Sequence, residues 1–207
     1  MGVRERREKE KEQRKKQILD TAKTLLLEKG LNATSINQIA KLSELSVGAI
    51  YFYFKDKEAL FAALQEEGLD LLARTIREAV DEGDPPEVKV RKIALAYLKF
   101  SETQKSYFDI INYFLTLPKT IFSLDIKSRI DEKGNDSISI LAQVLGEGME
   151  KEAFKRADPR RQAIIFWSAF HGMIQLKKLE KTILARESHQ SLYNELVERF
   201  LDGLRKG

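Results

Sequence analysis

Apolar positions recur along this chain at helical spacing, and strand-like alternation is nearly absent. Ile18, Ala22, Leu25 and Leu26 fall at i, i+4, i+7 and i+8, a single stripe on one helix. Gly30 stands where a left-handed cap would end that helix, with Leu31 placed to fold back on its last turn. Ser35 followed by Gln38 reads as a capping box, so a second helix is predicted from Ile36 to about Leu42. Barely two turns long, it depends on packing by Ile36, Ile39, Ala40 and Leu42. Ser46 is the natural N-cap of a third helix, with Leu45 and Ile50 placed as a hydrophobic staple.

On that third helix Ile50, Tyr53 and Phe54 share one side and face a core, while Val47, Gly48, Tyr51 and Phe52 crowd the other. A strand reading would make the serine cap and Gly48 accidents. Asp56 caps a fourth helix carrying Leu60, Phe61, Leu64, Leu69 and Leu72, which ends near Gly83-Asp84-Pro85-Pro86. Further helical patterns run over 87–102, over 106–117, and over 119–146 with a break expected around Gly134. Asp158-Pro159 starts another helix by cap and N1 proline, and Leu192, Leu196, Phe200 and Leu204 mark the last. The reading is all-α: an N-terminal three-helix unit with a helix-turn-helix, expected over residues 1–57, then a larger helical domain over 58–207.

The net charge of +4 is modest, but residues 1–57 hold 13 Lys and Arg against 8 Asp and Glu, while the rest hold 23 against 24. The positive excess is all at the front, which favours a polyanionic partner there. Within the opening, Arg4, Arg6, Arg7, Arg14, Lys15 and Lys16 are interleaved with Glu5, Glu8, Glu10 and Glu12, so a solvated, partly helical extension is expected. Cys is absent and only two His are present, so no thiolate metal site is possible and no metal or cofactor is expected. The opening lacks the apolar core of a signal peptide, and no segment has the length to cross a membrane. The chain is expected to be soluble and cytoplasmic.

Helix, tight turn and capped helix beside basic charge describe a reader of duplex DNA. The slim end Val47-Gly48-Ala49 suits a groove about 12 Å wide. Gly48 is costly in a helix, and either close approach to DNA or a crowded helix crossing would explain it. The run Gly30-Leu31-Asn32-Ala33-Thr34-Ser35-Ile36, then Ile39-Ala40, then Ser46 to Leu60 with its Tyr-x-x-Phe-x-x-Lys spacing, resembles the TetR family of one-component repressors. The resemblance covers roughly residues 18–61. It implies a nine-helix homodimer in which helices one to three bind double-stranded DNA, a variable domain binds a ligand, and the last two helices pair across a twofold axis.

Carried residue by residue, the resemblance implies phosphate contacts from Tyr51 and Lys57, with Ser46 and Thr34 or Ser35 as lesser candidates. Positions 46–54 hold no Arg, Lys, Asn or Gln, so base reading falls to Val47 and Ala49 on thymine methyls and to DNA shape. Asn37 is either the nearest adenine reader or simply solvated. Phe52 packs on sugar or on core. Where the family often has Gly in the turn, this chain has Glu44.

Phe100, Tyr107, Phe108, Tyr113 and Phe114, with Phe170 and His171, are either plain core or, as the resemblance implies, the lining of a site for a small hydrophobic ligand. The segment Ala163 to Leu176 is apolar nearly all round, and with Trp167, Ile174, Leu196 and Phe200 it supplies the candidate dimer interface. The function these features imply is a ligand-responsive repressor that binds a palindromic operator as a dimer. The alternative is an all-helical enzyme or carrier for a hydrophobic substrate, for which no nucleophile–base pair, HExxH, P-loop or dinucleotide fingerprint is present.

Overall fold

The structure is a computed structural model that describes residues 2–184 and 187–205; the outermost ends of the two expected domains, Met1 and Lys206-Gly207, lie outside the described residues. Among these the chain forms nine α-helices: α1 Val3–Ala33, α2 Ile36–Leu42, α3 Val47–Tyr53, α4 Lys57–Ala79, α5 Pro86–Thr103, α6 Lys105–Leu115, α7 Leu124–Glu150, α8 Pro159–Leu176 and α9 His189–Leu204. The all-helical architecture read from the sequence is the one observed. Among the described residues no helix is long and apolar enough to cross a membrane.

Contacts divide the chain into two compact units. The first comprises residues 1–68 and 105–131, the second residues 69–104 and 132–207, so α4 and α7 each lend residues to both. In the first unit the predicted stripe Ile18, Ala22, Leu25 and Leu26 is buried, together with Ile39, Ile50, Leu60 and Phe61. Phe114 packs between Phe61 (ring centroids 6.0 Å apart) and Phe122 (5.1 Å). In the second unit Phe166 stacks on Phe170 at 4.0 Å, and Tyr193, fully buried, donates its hydroxyl to the Ala94 carbonyl at 2.7 Å. Lys89, also buried there, is paired with Glu147 at 2.8 Å.

Four details depart from the sequence reading. Gly30 does take a positive φ of 77°, but its ψ of 175° is extended; the chain kinks there and resumes one helical turn to Ala33 instead of ending in a left-handed cap. The kink is held from outside, since the Leu31 amide donates to the Tyr113 hydroxyl at 3.0 Å and the Leu31 carbonyl accepts from Lys57 Nζ at 2.7 Å. Leu42, expected to pack, is 60 % exposed; it falls about 110° around the helix from the face set by Ile36, Ile39 and Ala40. α7 starts at Leu124 and runs through Gly134 without a break, braced on either side by Lys133 on Asp70 (2.6 Å) and Asn135 on Ser139 (3.1 Å). Finally, the charged opening is helical from Val3 onward.

After α7 the backbone turns sharply through Glu152 (φ 59°), and the Phe154 amide donates to the Gly148 carbonyl at 3.0 Å. The fully buried Phe154 ring lies directly against Gly148, where a Cβ would overlap it. Gly148→Ala is therefore expected to destabilise the protein by about 1–3 kcal/mol or more, an overpacking cost. A thermal melt reads this as a drop of roughly 2–4 °C per kcal/mol for a chain of this size.

Candidate DNA interface

α2 and α3 have seven residues each, and each is closed at its start by a serine. Ser35 Oγ accepts from the Gln38 amide at 3.3 Å, and Gln38 Oε1 accepts from the Ser35 amide at 3.0 Å, completing the predicted capping box. Ser46 Oγ accepts from the Ala49 amide at 3.1 Å. Asp56 does the same for α4, accepting from the Ala59 amide at 2.7 Å.

The turn between α2 and α3 is held from several sides. Ser43 Oγ donates to the Ile39 carbonyl at 2.7 Å, and the Leu45 amide donates to the Ala40 carbonyl at 2.9 Å. Gln17, on α1, reaches across to donate to the Ser43 carbonyl at 2.7 Å. Glu44 sits between them with φ 55°, the left-handed region that favours glycine. The turn thus keeps the backbone form that a glycine would adopt freely, and Glu44 carries the steric cost.

α3 has two unlike sides. Ile50 (0 % exposed) and Phe54 (4 %) tie it to the core, whereas Tyr51 (51 %) and Phe52 (75 %) stand in solvent with Val47 and Gly48; Ala49 is half-buried. The space around Gly48 is open: a methyl placed on its Cα would meet only Ser46 Oγ, at 3.8 Å. A crowded crossing therefore does not account for that glycine.

The other candidates fall as follows. Ser35 and Asn37 are exposed at the start of α2. Thr34 is fully buried and donates its hydroxyl to the Gly30 carbonyl at 2.8 Å, a structural bond across the kink. Lys57 spends its ammonium on Leu31 and lies 5.4 Å from the centroid of the Phe61 ring; partial burial lowers its pKa below the ordinary lysine value. Gln17 and Tyr113 hold the turn and the kink through bonds spanning 26 and 82 positions, which no local pattern announces.

The aromatic set lies in two groups, each within one unit. In the first, Tyr107 packs under the Lys23 ammonium (4.2 Å), Tyr113 binds Leu31, Phe108 is buried, and Phe114 joins Phe61 and Phe122. In the second, Phe100 is fully buried, Phe170 stacks on Phe166, and His171 Nδ1 is 2.8 Å from the Tyr97 hydroxyl. Burial, with Lys178 nearby, lowers the His171 pKa, and burial raises that of Tyr97. Trp167 packs edge-on to Tyr97 at 4.5 Å, and its buried indole N–H has no partner among the described residues. Ile174 is buried within the unit, while Leu196 and Phe200 are half-buried.

The profile described as bacterial regulatory proteins, tetR family, matches residues 18–64, and that described as tetracyclin repressor-like, C-terminal domain, matches residues 90–200, more than half of the chain. The chain belongs to the TetR family. It is a DNA-binding transcriptional regulator, and α2 with α3 is its helix-turn-helix. Among its relatives is the uncharacterized HTH-type transcriptional regulator YhgD of Bacillus subtilis, 26% identical over 161 residues, 78% of this chain and 82% of that protein. Another is the HTH-type transcriptional regulator QacR of Staphylococcus aureus, 26% identical over 196 residues, 93% of this chain and 98% of that protein. The fold is shared with the transcriptional regulator FadR of Bacillus subtilis, solved in complex with stearoyl-CoA: TM-score 0.75, 20% identity, 91% of this chain and 98% of that one covered.

For this TetR-family regulator the turn offers a direct check on backbone cost. Glu44→Gly relieves the left-handed side-chain clash, worth about 1–2 kcal/mol, against a glycine entropy loss of about 0.5–1 kcal/mol. The variant is expected to melt at the same temperature as the parent or slightly above it, and a clear fall in Tm would contradict the reading of the turn.

Proposed function

We propose that the regulator binds a palindromic operator as a homodimer in the cytoplasm, acting as a repressor through binding alone, and is released by a small hydrophobic molecule. The observation that carries the DNA half is the free end of α3. Its serine cap, open space at Gly48 and exposed Val47, Tyr51 and Phe52 give a slim tip that fits the major groove.

In this reading Val47 and Ala49 meet thymine methyls, and Ser35, Ser46 and Tyr51 donate to phosphates. Lys57 is a cation made less stable by partial burial, and an arriving phosphate would restore what burial takes away. Gly48 lets the backbone approach the groove, so Gly48→Ala separates stability from function. The exposed methyl is expected to leave Tm unchanged or raise it, with up to about 1 kcal/mol of helix propensity gained. Binding to a duplex selected from a random pool by the parent protein is expected to fall at least tenfold. A selected pool without a palindrome would defeat the operator reading.

For pairing, α8 presents Ile165, Ser168, Ala169, Gly172 and Leu176 on its exposed side, and α9 offers the half-buried Leu196 and Phe200. These are apolar or small, and the twofold spacing of half-sites, about 34–36 Å, needs such a dimer. For the ligand, the unpartnered Trp167 N–H beside Tyr97 and His171 supports a polar anchor amid aromatic walls, and FadR of Bacillus subtilis binds stearoyl-CoA. α4, which belongs to both units, would carry the coupling, equal in both directions. Native mass spectrometry of protein taken directly from cells is expected to show a dimer with a retained apolar small molecule. Leu196→Glu is expected to give monomers that lose palindrome preference; a parent protein that is monomeric would overturn the pairing.

A further inference from the structure

The charges of the N-terminal extension are interleaved along the sequence but sorted by sign around the helix. α1 is helical from Val3 up to the kink at Gly30, so the phase set by its buried residues carries back to its start. At about 100° per residue, Arg4, Arg7, Lys11, Arg14 and Lys15 fall within an arc of about 100° that contains no acidic residue. Glu5, Glu8 and Glu12 gather on one flank of it. Glu10 stands on the other, where Arg6 Nε binds it at 3.2 Å.

The same arc holds Ile18, Ala22 and Leu25, all buried. The basic stripe therefore continues the core-facing side of α1 beyond the end of the core. The extension leaves the core beside the helix-turn-helix, because Gln17 is bonded to the Ser43 carbonyl. Ser46, the cap of α3, is three residues further on, no more than about 11 Å of chain away. The side chains of Arg4, Arg7 and Lys11 are exposed and make no hydrogen bond or ion pair among the described residues; Arg14 donates to Gln17 at 3.0 Å, and Lys15 is half-buried. Stacking like charges at i,i+4, as Arg7-Lys11-Lys15 do, costs a solvated helix a few tenths of a kcal/mol per pair. A polyanion alongside reverses that cost.

We propose that the Arg4–Lys15 stripe is a second DNA-binding surface that grips the sugar-phosphate backbone outside the segment met by α3. Charge complementarity and continuity with the helix-turn-helix select this occupant, and the inference rests on α3 being the part that enters the groove. From Arg4 to Gln17 the helix is about 20 Å long, the rise of roughly six base pairs. Its contacts are to phosphates and carry no sequence preference. Each one released by salt adds about 0.9 to the slope of log affinity against log salt.

The test uses the full chain and two triple variants with the same change in net charge. Arg4→Gln/Arg7→Gln/Lys11→Gln removes the stripe, and Arg6→Gln/Lys9→Gln/Lys16→Gln removes charge from the other side of the helix. Anisotropy titrations at several salt concentrations use a duplex carrying the palindrome selected by the parent protein, once with about ten flanking base pairs at each end and once without. Circular dichroism checks that helix content is kept, and hydroxyl-radical footprinting of the parent protein reads flank contacts independently. The stripe variant is expected to lose about tenfold or more on the flanked duplex, with a shallower salt slope by about two to three per protomer. The other variant is expected to stay within twofold, and all three proteins to agree on the bare duplex. Equal losses from both variants, an undiminished stripe variant, or a footprint confined to the palindrome would overturn the proposal. A parent protein that protects the palindrome through α3 while showing any of these keeps the helix-turn-helix reading intact; failure of the parent to bind any duplex overturns both.

Discussion

A helix of seven residues does not hold itself together in water, and that constraint shapes the whole first unit. Nucleating a turn fixes several residues before the first hydrogen bond repays the loss, so α3 exists only because Ile50 and Phe54 are docked. Docking one side fixes the other. Val47, Gly48, Tyr51 and Phe52 face outward because Ile50 and Phe54 face inward, at the helical period. A longer, self-sufficient helix would need no such anchoring, and would also be free to rotate about its axis and re-aim its exposed side chains.

Since α3 is positioned from behind, the parts behind it matter more than their distance from DNA suggests. Leu31 is bonded through both of its backbone polar groups, the amide to Tyr113 of α6 and the carbonyl to Lys57 of α4. Thr34 closes the same corner by bonding Gly30. Three elements thereby converge on one kink, and each bond satisfies a backbone or side-chain group that burial would otherwise leave costly. Lys57 is drawn into this corner, where partial burial holds its pKa below the ordinary lysine value and its ammonium is bonded to a structural carbonyl. Shifting α6 by the length of a hydrogen bond would release the Leu31 amide.

The sequence announced what is local. Caps at Ser35, Ser46 and Asp56 and the stripe from Ile18 to Leu26 are fixed by residues within four positions of one another, and they appear as read. What the sequence did not announce depends on partners far away or on helix phase. Gly30 was legible as a positive-φ residue, yet its ψ is set by Tyr113 and Lys57, which the local pattern cannot place. Leu42 looked like a core residue because it is apolar, but phase puts it off the buried face. Gly134 suggested a break, whereas α7 runs through it whole, with the neighbouring Lys133 bonded to Asp70. At the candidate interface the exposed hydroxyls and the free end of α3 follow from capping and period, while the commitments of Thr34 and Lys57 emerge only once the kink is seen.

Charge shows the same lesson in its strongest form. Read in order, the opening residues change sign often enough to suggest a solvated, partly helical tail in which four glutamates offset much of the basic charge. Once the backbone is helical, neighbours in sequence are a hundred degrees apart and neighbours in space are three or four positions apart. The interleaving then sorts the signs instead of mixing them. It matters that the helix does not pause between residue 3 and the first buried side chain, because a single break would uncouple the phase of the extension from that of the core. With the phase kept, the direction in which Arg4, Arg7 and Lys11 point is fixed by Ile18, Ala22 and Leu25, residues buried in the interior. A hydrophobic stripe thus orients a basic one about 20 Å away, using only the rigidity of the helix.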